Sequence, residues 1–179
     1  GRLFDAAAAL CGVCTHASFE GEGPMRLEAL LAVRPEPSRR EPVIARPRPC
    51  GPRNDGMHGE SVGGETVALP LDRCATGIWR SDWAPLLPML SDTTRPAAER
   101  AARFHLSLAQ ALVDQAQQLR AQTGIRSVGL TGGVFQNRLL AEAAIRLLEA
   151  AGFDVCLPRR IPVNDAGLSF GQVIEFLHP

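Results

Sequence analysis

The last third of the chain alternates strand-like and helix-like runs in an order that few folds accommodate. Residues 126–130 (RSVGL) form a short β-rich run and lead into a glycine turn, TGGVFQN (131–137). RLLAEAAIRLLEAA (138–151) then places apolar residues at helical spacing, and Gly152 stops it. FDVCLP (153–158) reads as a second strand, and the run 163–177 (VNDAGLSFGQVIEFL) opens another helix. Two strands separated by one helix pair in parallel, because a parallel pair needs a long crossover. The pattern therefore predicts an α/β fold with a short mixed or parallel sheet flanked by helices.

The rest of the chain must fit around that unit. Its 179 residues suffice for one domain with its own core. Residues 2–13 are Ala-rich with helical periodicity, 15–24 form a Gly-rich loop, and 25–33 read as a second helix. Between 34 and 64 periodicity disappears into Pro, Arg and Gly, which reads as a solvated excursion that is mobile. The runs 65–72 and 76–82 read as a β-ribbon, and 83–90 as a short helix or turn broken by prolines. Pro96 can start a long amphipathic helix, with Phe104, Leu108, Ala111, Leu112 and Ala116 on one face and Gly124 as its stop.

Composition excludes several functions. Nineteen basic residues balance nineteen acidic ones, which argues against a general nucleic-acid surface. All the basic residues are Arg, so no lysine can form a Schiff base, a P-loop contact or a general base. No run of eighteen apolar residues exists, so no membrane partner is expected. Five cysteines form no framework, which predicts reduced thiols and a cytoplasmic location. Cys11 and Cys14 have zinc-like spacing but no second pair or nearby His, and are expected to be buried free thiols.

Two turns lie where ligands bind in open α/β sheets, beyond the carboxyl ends of strands. At Gly132 and Gly133 the missing Cβ atoms let a ligand approach the backbone. The following helix start is expected to offer N–H groups to a phosphate or nucleoside, with Asn137 one helical turn in. A purely structural glycine turn is the alternative. Asn164 and Asp165 stand at the second turn, as an N-cap or as a carboxylate ligand to a metal. A lone Asp cannot build a divalent site, and the four histidines show no ligand spacing. His105 reads as a packed or surface residue. Asp5, in the first turn of the opening helix, has either a dipole role or a ligand role, and the loop 19–23 can approach a ligand backbone-first.

GRLFDAAAAL, FEGEGPMRLE, AARFHLSLAQAL, SVGLTGGVFQNRLL and RIPVNDAGLSFGQ together resemble the carboxyl-terminal part of HypF, the carbamoyltransferase of nickel–iron hydrogenase maturation. O-carbamoyltransferases and tRNA threonylcarbamoyltransferases have similar turns. The resemblance implies an actin/hexokinase-like (ribonuclease H-like) lobe, with ATP or AMP bound as carbamoyl-adenylate in a cleft between two lobes. It implies carbamoyl transfer to the carboxyl-terminal cysteine of a HypE-like acceptor, whose product becomes a cyanide ligand of the hydrogenase iron. Carried over residue by residue, it assigns nucleotide binding to Asp5, Gly21, Gly132, Gly133 and Asn137. Asp165 becomes a ligand of one divalent metal (Fe or Zn) shared with histidines absent from this chain.

This chain departs from the family pattern at three places. The H-x-x-x-H histidine pair is absent, Glu22 stands where Gln is usual, and Ala166 replaces a usual Gly. The chain is accordingly expected to be a second lobe, a fragment inactive alone. Two alternatives stay open: an O-carbamoyltransferase acting on a small metabolite, and a non-catalytic nucleotide-binding or docking lobe.

Overall fold

The computed structural model describes residues 2–31, 65–158 and 161–177. The expected excursion at 34–64 lies outside the described residues. Among the described residues six α-helices and four short strands follow in chain order: α1 (Arg2–Leu10), α2 (Glu22–Ala29), β1 (Leu71–Arg73), β2 (Trp79–Ser81), α3 (Leu86–Ser91), α4 (Ala97–Thr123), β3 (Ser127–Gly129), α5 (Arg138–Ala150), β4 (Asp154–Cys156) and α6 (Leu168–Leu177). Two 3-10 turns, Gly133–Gln136 and Asp165–Gly167, precede α5 and α6.

The core is built on α4, the 27-residue helix. Phe104 is fully buried and meets Phe4 of α1 edge-on at 5.0 Å between ring centroids. Ala101, Ala109, Ala111 and Val113 complete the buried face, while Leu108, Leu112 and Ala116 pack at its border. Small residues there let α5 come close, and it supplies Leu140, Ala143, Ala144 and Leu148 to the same core. Burying one such leucine is worth about 1.5–3 kcal/mol, so the α4–α5 contact is the main hydrophobic tie of the molecule. At its far end the Arg120 guanidinium stacks on Phe153, 4.2 Å from the ring centroid, and donates to the Ala151 carbonyl at 2.9 Å.

β3 and β4 pair in parallel with Ser127 opposite Asp154 and Gly129 opposite Cys156, as the βαβ pattern requires. β1 and β2 form a separate antiparallel hairpin, so the described residues hold two two-stranded sheets. The ribbon is shorter than its two sequence runs. Residues 65–70 are not strand; Val67 donates its N–H to Ser107 Oγ on α4 at 2.8 Å instead of to a neighbouring strand.

Two boundaries differ from expectation. α1 stops at Leu10, because Gly12 (φ 73°) turns the chain at the helix end. α2 starts at Glu22 and not at 25: Gly21 (φ 85°) caps it, and Pro24 is tolerated within its first turn. Gly23 lets α1 and α2 come close there, since a Cβ would fall 2.9 Å from Asp5 Oδ1 and 3.3 Å from Ala8 Cβ and would push the Asp5 side chain aside. The stops at Gly124 (φ 74°) and Gly152 (φ 79°) stand where the sequence puts them.

A buried guanidinium ties the early helices together. Arg100, 6% exposed, donates through Nη1 to the carbonyls of Leu10 and Leu90, the last turns of α1 and α3. Cys11 and Cys14 are buried and, like Cys74 and Cys156, not in a disulfide. Burial pushes the Cys11 thiol up, against the opposing pull of Arg100. α6 is different from the other helices. None of its residues is buried, and Leu168, Phe170, Val173, Phe176 and Leu177 all face solvent. Among the described residues no helix is long and apolar enough to cross a membrane.

Candidate functional site

The parallel register of β3 and β4 delivers their following turns to one end of the sheet. Gly132 takes φ 107° and ψ 152°, a conformation that side chains resist. Its N–H donates to the Val163 carbonyl at 2.6 Å, joining the first turn to the second. An open cavity of about 890 Å³ lies there, lined by Thr131, Gly132, Asn164, Asp165 and, from α6, Gln172 and Phe176. A Cβ on Gly132 would meet nothing within 4 Å, and one on Gly133 only Asn164 Cβ at 4.0 Å. The backbone here is open to an approaching group. The N–H groups of Gly133 and Val134 have no hydrogen-bond partner among the described residues.

The start of α5 is not open in the way the sequence suggests. Arg138 N–H donates to Glu28 Oε1 at 2.8 Å, with Leu139 N–H on the same oxygen at 3.4 Å. Leu140 N–H donates to Asn137 Oδ1 at 2.9 Å, and Ala141 N–H to the Asn137 carbonyl. A carboxylate from α2 and the cap amide have taken the groups that a phosphate would use. The backbone donors left without an internal partner lie one turn earlier, at the exposed residues 133–134, beside the cavity and not in its lining.

Asn137 accordingly sits at the N-cap of α5 and not one turn inside it. It is 7% exposed, and its Nδ2 lies 3.1 Å from His105 Nε2. Both ends of the amide are engaged within the protein. At the second turn Asn164 is the cap, its Oδ1 accepting from Ala166 N–H at 3.1 Å, which leaves the exposed Asp165 carboxylate out of the capping. Gly167 is sterically required: a Cβ would lie 2.8 Å from the Pro162 carbonyl oxygen.

Asp5 and Gly21 belong to another surface. Asp5 is exposed on α1 and faces the start of α2 across Gly23, while Gly21 has open space around it. Neither lines the cavity at Gly132 and Asp165. Beside them Glu22 is buried; its Oε2 accepts from Ser18 N–H at 2.5 Å and its Oε1 meets Arg26 at 2.5 Å. The Ser18 N–H and, secondarily, the Arg26 charge hold its carboxyl below the usual range. The negative charge carried here is thus internally matched.

Two residues that matter at the site escape sequence reasoning. Glu28 lies 110 positions from the N–H it caps, and nothing local marks it. His105 sits within a helix whose pattern explains it equally well as packing. No group of three His, Cys, Asp or Glu able to hold a metal occurs among the described residues. Asp165 can supply one oxygen to a cation and does not constitute a site.

Helices pack on short sheets here, with a glycine turn and an Asn-Asp turn facing one cavity. The chain belongs to the carbamoyltransferases, as the second subdomain of their Kae1-like domain, with residues 1–172 matched. Within that class its relatives are HypF proteins. Carbamoyltransferase HypF2 of Cupriavidus necator is 37% identical over 179 residues, covering 97% of this chain and 21% of that protein. Carbamoyltransferase HypF of Rhizobium leguminosarum bv. viciae is 35% identical over 173 residues, 96% of this chain and 18% of that one. The crystal structure of full-length HypF in its phosphate- and nucleotide-bound form matches with a TM-score of 0.73 and 29% identity, covering 100% of this chain and 20% of that one. The chain thus spans about a fifth of the length of these relatives.

Proposed function

We propose that this chain is the second lobe of an actin/hexokinase-like domain that transfers a carbamoyl group from carbamoyl-adenylate to the terminal cysteine thiol of a HypE-like acceptor. Its own part is to hold the adenine nucleotide. The observation that carries this reading is the shared cavity, where the glycine turn after β3 meets the Asn-Asp turn after β4. A polar nucleotide group would lie along the Gly132 backbone, which keeps the approach free of side chains, and would reach the exposed N–H groups of Gly133 and Val134 just beyond the cavity lining. Asp5 and Gly21 serve a more distant part of the same ligand, and Asn137 fixes the turn.

In the reaction the acceptor thiol gives up its proton to solvent, the thiolate sulfur bonds to the carbamoyl carbon, the carbon–oxygen bond to the phosphate breaks, and AMP leaves with that electron pair. The thiol belongs to the partner, so none of the five cysteines here is needed as a nucleophile. Asp165 is offered as one ligand to a divalent ion completed by groups outside this chain. One carboxylate does not make a metal centre, so no step is routed through the ion.

Titration of AMP into the chain by calorimetry tests the nucleotide reading. Gly133→Ala fits the fold, since its Cβ meets only an ordinary contact at 4.0 Å. A methyl group beside the ligand-facing N–H should weaken AMP at least about tenfold through steric exclusion. Wild-type protein without AMP affinity, or an alanine variant with unchanged affinity, would refute the assignment.

A further inference from the structure

His105 lies in the first third of α4 with 2% of its surface exposed. It is set edge-on between Phe4 and Phe104, at 5.5 and 5.7 Å between ring centroids. An imidazole in such company is costly unless both nitrogens are matched. Nδ1 is 2.7 Å from the Ala101 carbonyl oxygen, which can only accept, so Nδ1 carries the proton. Nε2 is then the lone-pair nitrogen, and it faces Asn137 Nδ2 at 3.1 Å. This settles which way the Asn137 amide points: Nδ2 toward the ring, Oδ1 toward Leu140 N–H.

Asn137 is the hinge between two pieces of backbone. It ends the 3-10 turn Gly133–Gln136, donating its N–H to Val134 O at 3.1 Å, and it caps α5. Whatever fixes its side chain also fixes the backbone on either side. We infer that His105 is a positioning residue of the glycine turn. Its neutral ring, carried on the central helix, aims the Asn137 amide and so holds residues 132–136 in the conformation that leaves the Gly133 and Val134 N–H groups available to a ligand. The inference rests on the ligand-binding reading of that turn given above.

The arrangement works only with an unprotonated Nε2, since an imidazolium would oppose one donor with another. From α1 the ring meets Phe4, from the α5 cap Asn137, and from α2 the nearest charge that acts on it is the Glu28 carboxylate. Burial holds the imidazole below its ordinary range, while the Ala101 carbonyl and Glu28 oppose that shift. The neutral form is therefore present at neutral pH.

Two variants of the full chain separate the roles. His105→Phe keeps a ring among the phenyl groups and removes the acceptor. His105→Gln returns a carbonyl oxygen at the length of Nε2. Hydrogen-exchange protection of the Leu140 amide, with α4 amides as control, reads the order of the cap. Calorimetry with AMP reads the turn. The Phe variant should lose about tenfold in both, as one buried hydrogen bond predicts, and the Gln variant should recover to within about threefold. In wild type, Leu140 protection should fall on acidification below the ordinary imidazole range, and the Gln variant should lack that step. Unchanged protection in His105→Phe, or a Gln variant no better than Phe, overturns the inference. So does weakened AMP binding with protection intact, because the ring would then act directly. Should the Phe variant fail to fold, the wild-type acid step and its loss in Gln decide. Should wild-type protein not bind AMP, the nucleotide reading fails while the protection data still judge His105.

Discussion

Glu28 gives the sharpest quantitative test of how the site is held. Its carboxylate reaches from α2 to the first two N–H groups of α5, at 2.8 and 3.4 Å. The longer contact contributes little, so the clasp is one good charge-assisted hydrogen bond plus the interaction of an anion with a helix N-terminus. Half-exposed, the bond is worth about 1 kcal/mol, below the usual range for charged groups, and the dipole adds about 0.3–1 kcal/mol. Glu28→Ala should therefore cost about 1–2 kcal/mol, which for a chain of this size lowers Tm by roughly 3–6 °C. Glu28→Gln keeps an acceptor oxygen and loses the charge, and should cost about half as much. Thermal unfolding followed by circular dichroism at low and high salt measures both. The Gln-to-wild-type difference should shrink with salt, because it is the charged component. A Gln variant as stable as wild type at low salt would show that the charge adds nothing; an Ala variant within about 0.3 kcal/mol of wild type would show that water serves the N–H groups equally well and that they are open to a phosphate.

Three further outcomes follow from geometry already described. Gly167→Ala puts a methyl 2.8 Å from the Pro162 carbonyl oxygen and 3.0 Å from Ile161 Cγ2, and backbone cannot yield as a flexible side chain does. Amide exchange across 161–177 should accelerate while α4 stays protected. Arg100→Met fills similar space but strands the Leu10 and Leu90 carbonyls, at about 2–3 kcal/mol together, a loss measurable by urea unfolding. Glu22 has its carboxyl held low in the folded state, so it binds fewer protons there than in the unfolded chain. Its stabilisation is present above the ordinary carboxylate range and disappears as pH falls through the lowered value. Glu22→Gln should flatten that part of an acid-denaturation curve.

The βαβ unit was legible because its signals are local. Strand runs, glycine stops and the apolar spacing of 138–151 all lie within a few residues of what they determine. The glycine pair and Asn164–Asp165 were found for the same reason, and the structure does bring those two turns to one cavity. Asp5 and Gly21 stand out in the sequence as well, but they lie at the α1–α2 contact away from it. What escaped was pairing at long range. Glu28 caps a helix 110 positions away, and His105 meets Asn137 across 32, so neither leaves a periodicity to read. The short ribbon escaped for a related reason: Val67 finds Ser107 on α4, a partner that no alternation of residues reveals.

The single bond from Gly132 N–H to Val163 O has a thermodynamic consequence for the chain as a whole. It joins segments separated by a complete helix and strand, so it closes a loop whose ends are also bound by the β3–β4 pairing and by Leu130 N–H on the Cys156 carbonyl. A molecule seated across both turns would act as a second staple on that loop. Its binding energy would appear as added resistance to unfolding, growing as RT ln(1 + [L]/Kd), or about 2.7 kcal/mol at a hundredfold excess over Kd. Opening of the β3–β4 pair would be suppressed first, and the antiparallel hairpin at 71–81 would be left to breathe as before.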